Sequence, residues 1–214
     1  MPDARPPHSL VLAADYHVPD LARLMAHIEE NAAHLAPIGA HHIVTYSSIW
    51  ESDRILVTIG LRHHDSIADL MRSEALFGWF DEAGVEDFPA IFLGEVLEKV
   101  DLRPEGSGSR APGVVVAAFA SIRDIARLRD NVHRELGTFA AAGCRQIWMY
   151  QALDGCSEVL ILQEVDDEAT ARRWIDRSDV SAEWMRGAGF GAYPTVFVGR
   201  LEQVVKVAPT PRMR

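Results

Sequence analysis

Tyr193-Pro194-Thr195-Val196-Phe197-Val198-Gly199-Arg200-Leu201 restates a phrase that the chain has already used at Phe88-Pro89-Ala90-Ile91-Phe92-Leu93-Gly94-Glu95-Val96. Both copies keep an aromatic, a proline, two residues, a phenylalanine, one residue and a glycine. Working backwards, Asp20-Leu21-Ala22-Arg23-Leu24 returns as Asp124-Ile125-Ala126-Arg127-Leu128, Gly39 as Gly143, Ile43 as Ile147 and Tyr46 as Tyr150, each 104 positions later. Trp79, Ala83 and Gly84 return as Trp184, Ala188 and Gly189, one position further on. The expectation is a tandem duplication. Two copies are too few for a solenoid, so each is expected to be a complete unit.

One copy fixes the order of elements. Ser9 to Tyr16 is an apolar run of strand length. Val18-Pro19-Asp20 opens a helix whose Leu21, Leu24, Met25, Ile28, Ala32 and Leu35 share a face, and Pro37 and Gly39 stop it. In the second copy Ser121 and Asp124 are expected to form a capping box at the equivalent helix. His42–Trp50 and Arg54–Leu61 read as strands joined through a turn at Ser52-Asp53. A second helix runs from about Asp65 to Ala83, and the opening phrase supplies a fourth strand, Pro89–Val100. Residues 101–112 have a linker's composition. The expected organisation is a tail over 1–8, a first repeat over 9–100, the linker over 101–112, a second repeat over 113–207 and a tail over 208–214.

The order β-α-β-β-α-β is the split βαβ plan, with an antiparallel sheet and both helices on one face. Such a sheet should alternate apolar with polar residues. Leu10-Val11-Leu12-Ala13-Ala14, Ile55-Leu56-Val57, Val114-Val115-Val116 and Val159-Leu160-Ile161-Leu162 are instead apolar on both faces, so something must cover the second face. The remaining surface of matching shape is the other repeat's sheet. The fold class expected is therefore α+β, with two tandem βαββαβ ferredoxin-like repeats packed sheet to sheet as a pseudo-dimeric α/β barrel.

Composition narrows the function. With 31 acidic against 21 basic side chains and a formal charge of −10, the chain has no footprint for a phosphate backbone or an anionic bilayer, so neither nucleic acid nor membrane is expected as partner. No apolar stretch approaches membrane-spanning length, and the N-terminus lacks a signal-like core, which points to the cytoplasm. Cys144, opening a strand, and Cys156, in the turn ending it, are placed too far apart to bridge and are expected reduced. There is no Gly-x-Ser-x-Gly elbow, phosphate-cradling glycine loop or Cys-x-x-Cys.

The repeat order, the paired sheets and a second helix reading Ser73-Glu74-Ala75-Leu76 ahead of Trp79 resemble the dimeric α/β barrel superfamily, in particular its antibiotic-biosynthesis monooxygenase-like members. In that superfamily the barrel is usually made by two chains, so this chain is expected as monomer or homodimer. The resemblance implies a ligand cavity between the sheet and helices of one unit, lined here by Tyr46 with Trp79 and by Tyr150 with Trp184. Haem-using relatives present a histidine from the second helix, and neither second helix here carries one beyond its first turn. No cofactor is expected. His34, His41, His42, His63 and His64 gather at one end of the first repeat. A turn at Ser52-Asp53 sets His42 opposite His63, a candidate pair for zinc or copper. Asp15, His17 and Glu164 are isolated acid or base candidates. The leading expectation is a small-molecule-binding protein for an apolar or aromatic ligand without an identifiable catalytic motif. Its alternatives are a cofactor-independent monooxygenase of aromatic or polyketide-like substrates and a structural or interaction module.

Overall fold

The computed structural model describes residues 10–62, 74–85, 89–103, 113–153, 157–176 and 195–208. Its strands are β1 (Leu10–His17), β2 (Ala40–Ser48), β3 (Arg54–Leu61), β4 (Ala90–Asp101), β5 (Val114–Ser121), β6 (Cys144–Ala152), β7 (Glu158–Val165) and β8 (Thr195–Lys206). Its helices are α1 (Leu21–Asn31), α2 (Glu74–Glu82), α3 (Ile125–Arg134), α4 (Leu136–Ala141) and α5 (Glu168–Asp176), with a 3-10 turn at Ala32–Leu35 after α1. The fold is α+β with an antiparallel, ferredoxin-type arrangement of eight strands.

Equivalent positions of the two halves do the same local work. The Asp20 carboxylate accepts from the backbone N–H of Arg23 at 3.0 Å to cap α1, and Asp124 accepts from Arg127 at 3.0 Å to cap α3. Asp124 is thus itself the cap residue, and Ser121 ends β5. Gly39 and Gly143 both turn the chain with positive φ, 85° and 88°, where a side chain would be strained.

Contacts group the chain as Met1–Leu93 with Leu201–Arg214, and as Gly94–Arg200. The divisions fall inside β4 and β8, not at the linker. These two strands have 12 residues each, against 8 or 9 in the others, and each serves both units. In the first unit the strand order is β4-β1-β3-β2-β8; in the second it is β8-β5-β7-β6-β4. Pairing of β4 with β6 begins at Gly94, opposite Ala152, and pairing of β8 with β5 ends at Arg200, opposite Val114. The repeated phrase therefore carries the chain from one unit into the other.

Within the first unit, β1–β3 register sets Tyr16 opposite Ile55 and Ala14 opposite Val57, and β3–β2 register sets Ile55 opposite Ser47 and Val57 opposite Thr45. Residues directly opposite share a sheet face. Tyr16 meets Phe80 of α2 edge-on, with ring centroids 5.6 Å apart, so the Tyr16–Thr45 face is the one that helices cover. In the second unit the corresponding core joins Ala120, Met149, Val159 and Ile161 of the sheet to Leu128, Val132 and Phe139 of the helices.

Candidate functional site

On the helix-covered face of the first unit a chain of ring contacts runs from sheet to helices. Tyr16 of β1 touches Phe80, Phe80 touches Trp79 at 5.3 Å, and Trp79 touches His27 of α1 at 5.4 Å with the rings tilted by 52°. Each of the three polar rings carries a buried atom without a hydrogen-bond partner among the described residues: Tyr16 Oη, His27 Nε2 and Trp79 Nε1. Thr45 Oγ1, on the same sheet face, is a fourth. Buried polar groups are ordinarily satisfied, so such a concentration calls for an explanation.

The chemistry of these atoms is fixed by their neighbours. The Asn31 side chain lies 3.0 Å from the carbonyl oxygen of His27 and 3.1 Å from His27 Nδ1. A carbonyl only accepts, so the Asn31 atom facing it is the NH2 group, which then also donates to Nδ1. Nδ1 is the acceptor, and a neutral His27 carries its proton on Nε2. The unpartnered Nε2 is therefore a donor, as is the indole N–H of Trp79. Burial pushes the Tyr16 phenol well above its usual range and keeps it protonated, a third donor. Three buried donors without acceptors along one set of ring contacts are complementary to oxygen atoms.

Tyr46 does not join Trp79 here. It lies opposite Leu56, which lies opposite Asp15, so it occupies the other face of the sheet, one residue out of phase with Thr45. Strand alternation separates the two side chains that the resemblance had placed together. Tyr150 follows the same rule in the second unit, where it stacks against Trp148 with ring centroids 6.1 Å apart and an interplanar angle of 7°. Trp184 lies outside the described residues.

The β2–β3 turn is centred earlier in the chain than a turn at Ser52-Asp53 would be. Ser48 Oγ accepts from the backbone N–H groups of Trp50 and Glu51 at 3.1 Å, Arg54 N–H closes on the Glu51 carbonyl at 3.2 Å, and pairing starts at Ser47 with Ile55. His42 consequently faces Gly60, not His63. A bulge between Ala40 and His42 brings His41 and His42 together above Gly60, with their Nδ1 atoms 2.6 Å apart. His63 and His64 lie outside the described residues, and among the described residues no three His, Cys, Asp or Glu side chains converge as a metal site.

The isolated acids and bases have assignable surroundings. Asp15 forms a two-pronged pair with Arg54, at 2.9 Å to Nε and 2.7 Å to Nη2, and Arg54 also donates to Glu51 at 2.8 Å. His17 reaches Glu51 at 3.5 Å. Glu164 is partly buried opposite Gln146 on β6, and burial raises its pKa against the pull of Arg103 and Lys99. Cys144 is a free, buried thiol pushed up to about 12 by burial; Cys156 lies outside the described residues. Sequence reasoning passed over Tyr16 and His27. The signal that could have found them is their replacement by Ala120 and Asn131 104 positions later.

No family model and no curated protein matches the chain. Solved structures do. An anthrone oxidase-like protein superposes with a TM-score of 0.66 at 12% identity, covering 93% of each chain. A monooxygenase-like protein from Listeria innocua gives 0.53 at 12%, covering 91% of this chain and 95% of the other. A ferredoxin-fold protein from Listeria monocytogenes related to antibiotic biosynthesis monooxygenases gives 0.52 at 12%, covering 91% and 96%. Among the described residues no helix is long and apolar enough to cross a membrane. The chain has, over nearly its whole length, the ferredoxin-type fold of the antibiotic-biosynthesis monooxygenase-like proteins.

Proposed function

We propose that the first unit binds a small aromatic molecule bearing carbonyl or hydroxyl oxygens, seated between its sheet and its helices. The observation that carries this reading is the row of unpartnered buried donors Tyr16 Oη, His27 Nε2 and Trp79 Nε1 along one continuous set of ring contacts. Leaving a buried donor unpaired costs about 1–3 kcal/mol, and three such costs in one place are offset when a ligand supplies the acceptors. The rings supply the apolar contact area.

A second reading, oxygenation without a cofactor, draws on the names of the solved structures of the same fold, an anthrone oxidase-like protein and a monooxygenase-like protein. Such chemistry takes its electrons from the substrate: an anthrone and O2 give an anthraquinone and water. It begins by removing a proton from the substrate. Within the ring chain no group is set to accept one, because His27 Nδ1 is engaged by Asn31, Tyr16 is held neutral and an indole is no base. Binding is therefore the reading that the geometry favours.

Titration with anthrone under nitrogen, followed by tryptophan fluorescence, tests the binding reading. Saturable quenching that weakens about 2- to 12-fold in each of Tyr16→Phe and Trp79→Phe is expected for loss of one hydrogen bond. Affinity unchanged in both variants refutes it. Admitting oxygen then separates the two readings: anthraquinone formation above the protein-free rate, lost in His27→Ala, would establish the oxygenase.

A further inference from the structure

A cavity, remote from the ring chain in sequence and contained wholly in the second unit, lies between α4 and α5. It encloses about 510 Å³ and is lined by Gly137, Thr138, Ala141, Ala142, Thr170, Arg173 and Trp174. That volume lies in the range of small-ligand pockets, roughly 300–1,000 Å³. Gly137 and Ala141 lie one turn apart on α4, and with Ala142 they give the cavity a floor without long side chains.

The walls are held in place. Gly143, just past α4, has φ 88°, and a Cβ there would stand 2.8 Å from the Thr170 methyl, so glycine lets the end of α4 approach α5 closely. Thr170 is in turn fixed by its backbone N–H, which donates to the Asp167 carboxylate at 2.7 Å. Trp174 is braced against Phe139, with ring centroids 5.3 Å apart.

Arg173 gives the cavity its charge. One guanidinium nitrogen donates to Thr170 Oγ1 at 2.9 Å, which orients the fork; among the described residues no carboxylate forms a direct ion pair with it, and Asp167 lies near enough to feel its charge. The acids that lead into α5 are already engaged: Asp166 by Arg145, Asp167 by the backbone of Thr170 and Glu168 by Arg200. The positions 104 residues earlier hold Asp69 and Leu70, so both the cation and the indole belong to this half alone.

We propose that this cavity is a binding site for a small planar aromatic carboxylate. The carboxylate takes the fork of Arg173, whose geometry matches two parallel hydrogen bonds, and the ring lies along the indole of Trp174. Thr138 supplies a hydroxyl at the rim. The site is independent of the ring chain in the first unit and stands whether or not that unit binds anthrone.

The test uses 2-naphthoate as probe on the full-length protein, by isothermal titration calorimetry, with 2-naphthylmethanol as its uncharged counterpart. Saturable binding of 2-naphthoate is expected, with binding of the alcohol at least about tenfold weaker for want of a charge-assisted hydrogen bond. Arg173→Gln should weaken 2-naphthoate by about tenfold or more and bring it level with the alcohol. Arg173→Lys, which keeps the charge but not the fork, should fall between. Arg173 is exposed, so its variants are expected to fold, and matching circular dichroism melts would verify that. Absence of saturable binding, equal binding of acid and alcohol, or undiminished binding in folded Arg173→Gln each overturns the proposal.

Discussion

Replacing Tyr16 by phenylalanine removes one oxygen and nothing else, and the sign of its effect tests the reading of the first unit. The residue is 4% exposed, its ring contact with Phe80 needs no hydroxyl, and its Oη has no partner. An unpaired buried hydroxyl costs the protein about 1–3 kcal/mol of desolvation, while the space left by one oxygen forfeits only a few dispersion contacts of about 0.1–0.2 kcal/mol each. Tyr16→Phe should therefore stabilise the unliganded protein by about 1 kcal/mol, which for a chain of this size raises Tm by about 2–4 °C. The effect should grow at high pH. The native phenol is held above its usual pKa, so past about pH 10 the unfolded state loses a proton that the native state keeps. Stability is then fully present below that pH and falls as pH climbs, by up to about 1.4 kcal/mol per unit. Phenylalanine removes this part of the slope, and Tyr150, raised by burial and then by Glu164, leaves a comparable part in place. Differential scanning calorimetry from pH 7 to 11 reads both. A Tm lowered by about 2 °C or more at pH 7, the sign expected for a satisfied hydroxyl, would refute the claim that this donor waits for a ligand.

Four further outcomes are expected. Gly143→Ala places a Cβ at φ 88° against the Thr170 methyl; left-handed strain of about 1–2 kcal/mol and overpacking of about 1–3 kcal/mol should together lower stability by about 2–5 kcal/mol, measured by urea unfolding. Asp15→Asn breaks the two-pronged pair with Arg54, whose side chains are 12% and 16% exposed, and should cost about 2–3 kcal/mol by the same measurement, with Arg54 keeping its pair with Glu51. Glu164→Gln should stabilise the protein at pH 7 and lose that advantage near pH 4, because a carboxyl whose folded pKa is raised contributes its stability below the unfolded pKa and loses it as pH rises; equal melting gains at both pH values would contradict this. In a Cys156→Ser background, the Cys144 thiol should react with a disulfide reagent only on unfolding, since a pKa of about 12 leaves almost no thiolate at pH 8.

The element order was legible because hydrophobic periodicity and glycine stops are local signals, and Gly39 and Gly143 do turn the chain where the sequence places them. The apolar character of both strand faces foretold sheets covered on each side. What could not be read locally was register. Three residues' difference in where the β2–β3 turn closes, settled by Ser48 Oγ gathering two backbone N–H groups, moves His42 from His63 to Gly60. Parity was decisive for the site as well. Tyr46 and Thr45 are neighbours in sequence and stand on opposite faces, so a pairing inferred from conspicuous aromatics failed where alternation had to be counted from β1 across β3.

The two helix-covered cores differ in a way that bears on where function resides. At the position of Tyr16 the second unit has Ala120, and at that of Thr45 it has Met149, both part of an apolar cluster filled by Phe139 and braced by Trp174. At the position of His27 it has Asn131, a polar residue that is satisfied, its carbonyl oxygen accepting from Arg134 at 2.6 Å. A core optimised only for stability converges on this second solution, because an apolar filling avoids every desolvation cost that the first unit bears. Tyr16, His27 and Thr45 of the first unit are hence a departure from the cheaper arrangement available on the same fold. Such departures persist where something other than the folded state alone completes the hydrogen bonds. The same comparison runs in reverse for the cavity between α4 and α5, where Arg173 and Trp174 stand in place of the first half's Asp69 and Leu70, a cation for an anion and an indole for an aliphatic chain. Each unit thus carries polar groups that its counterpart lacks, in different places, and a single variant in either one should leave binding at the other unchanged.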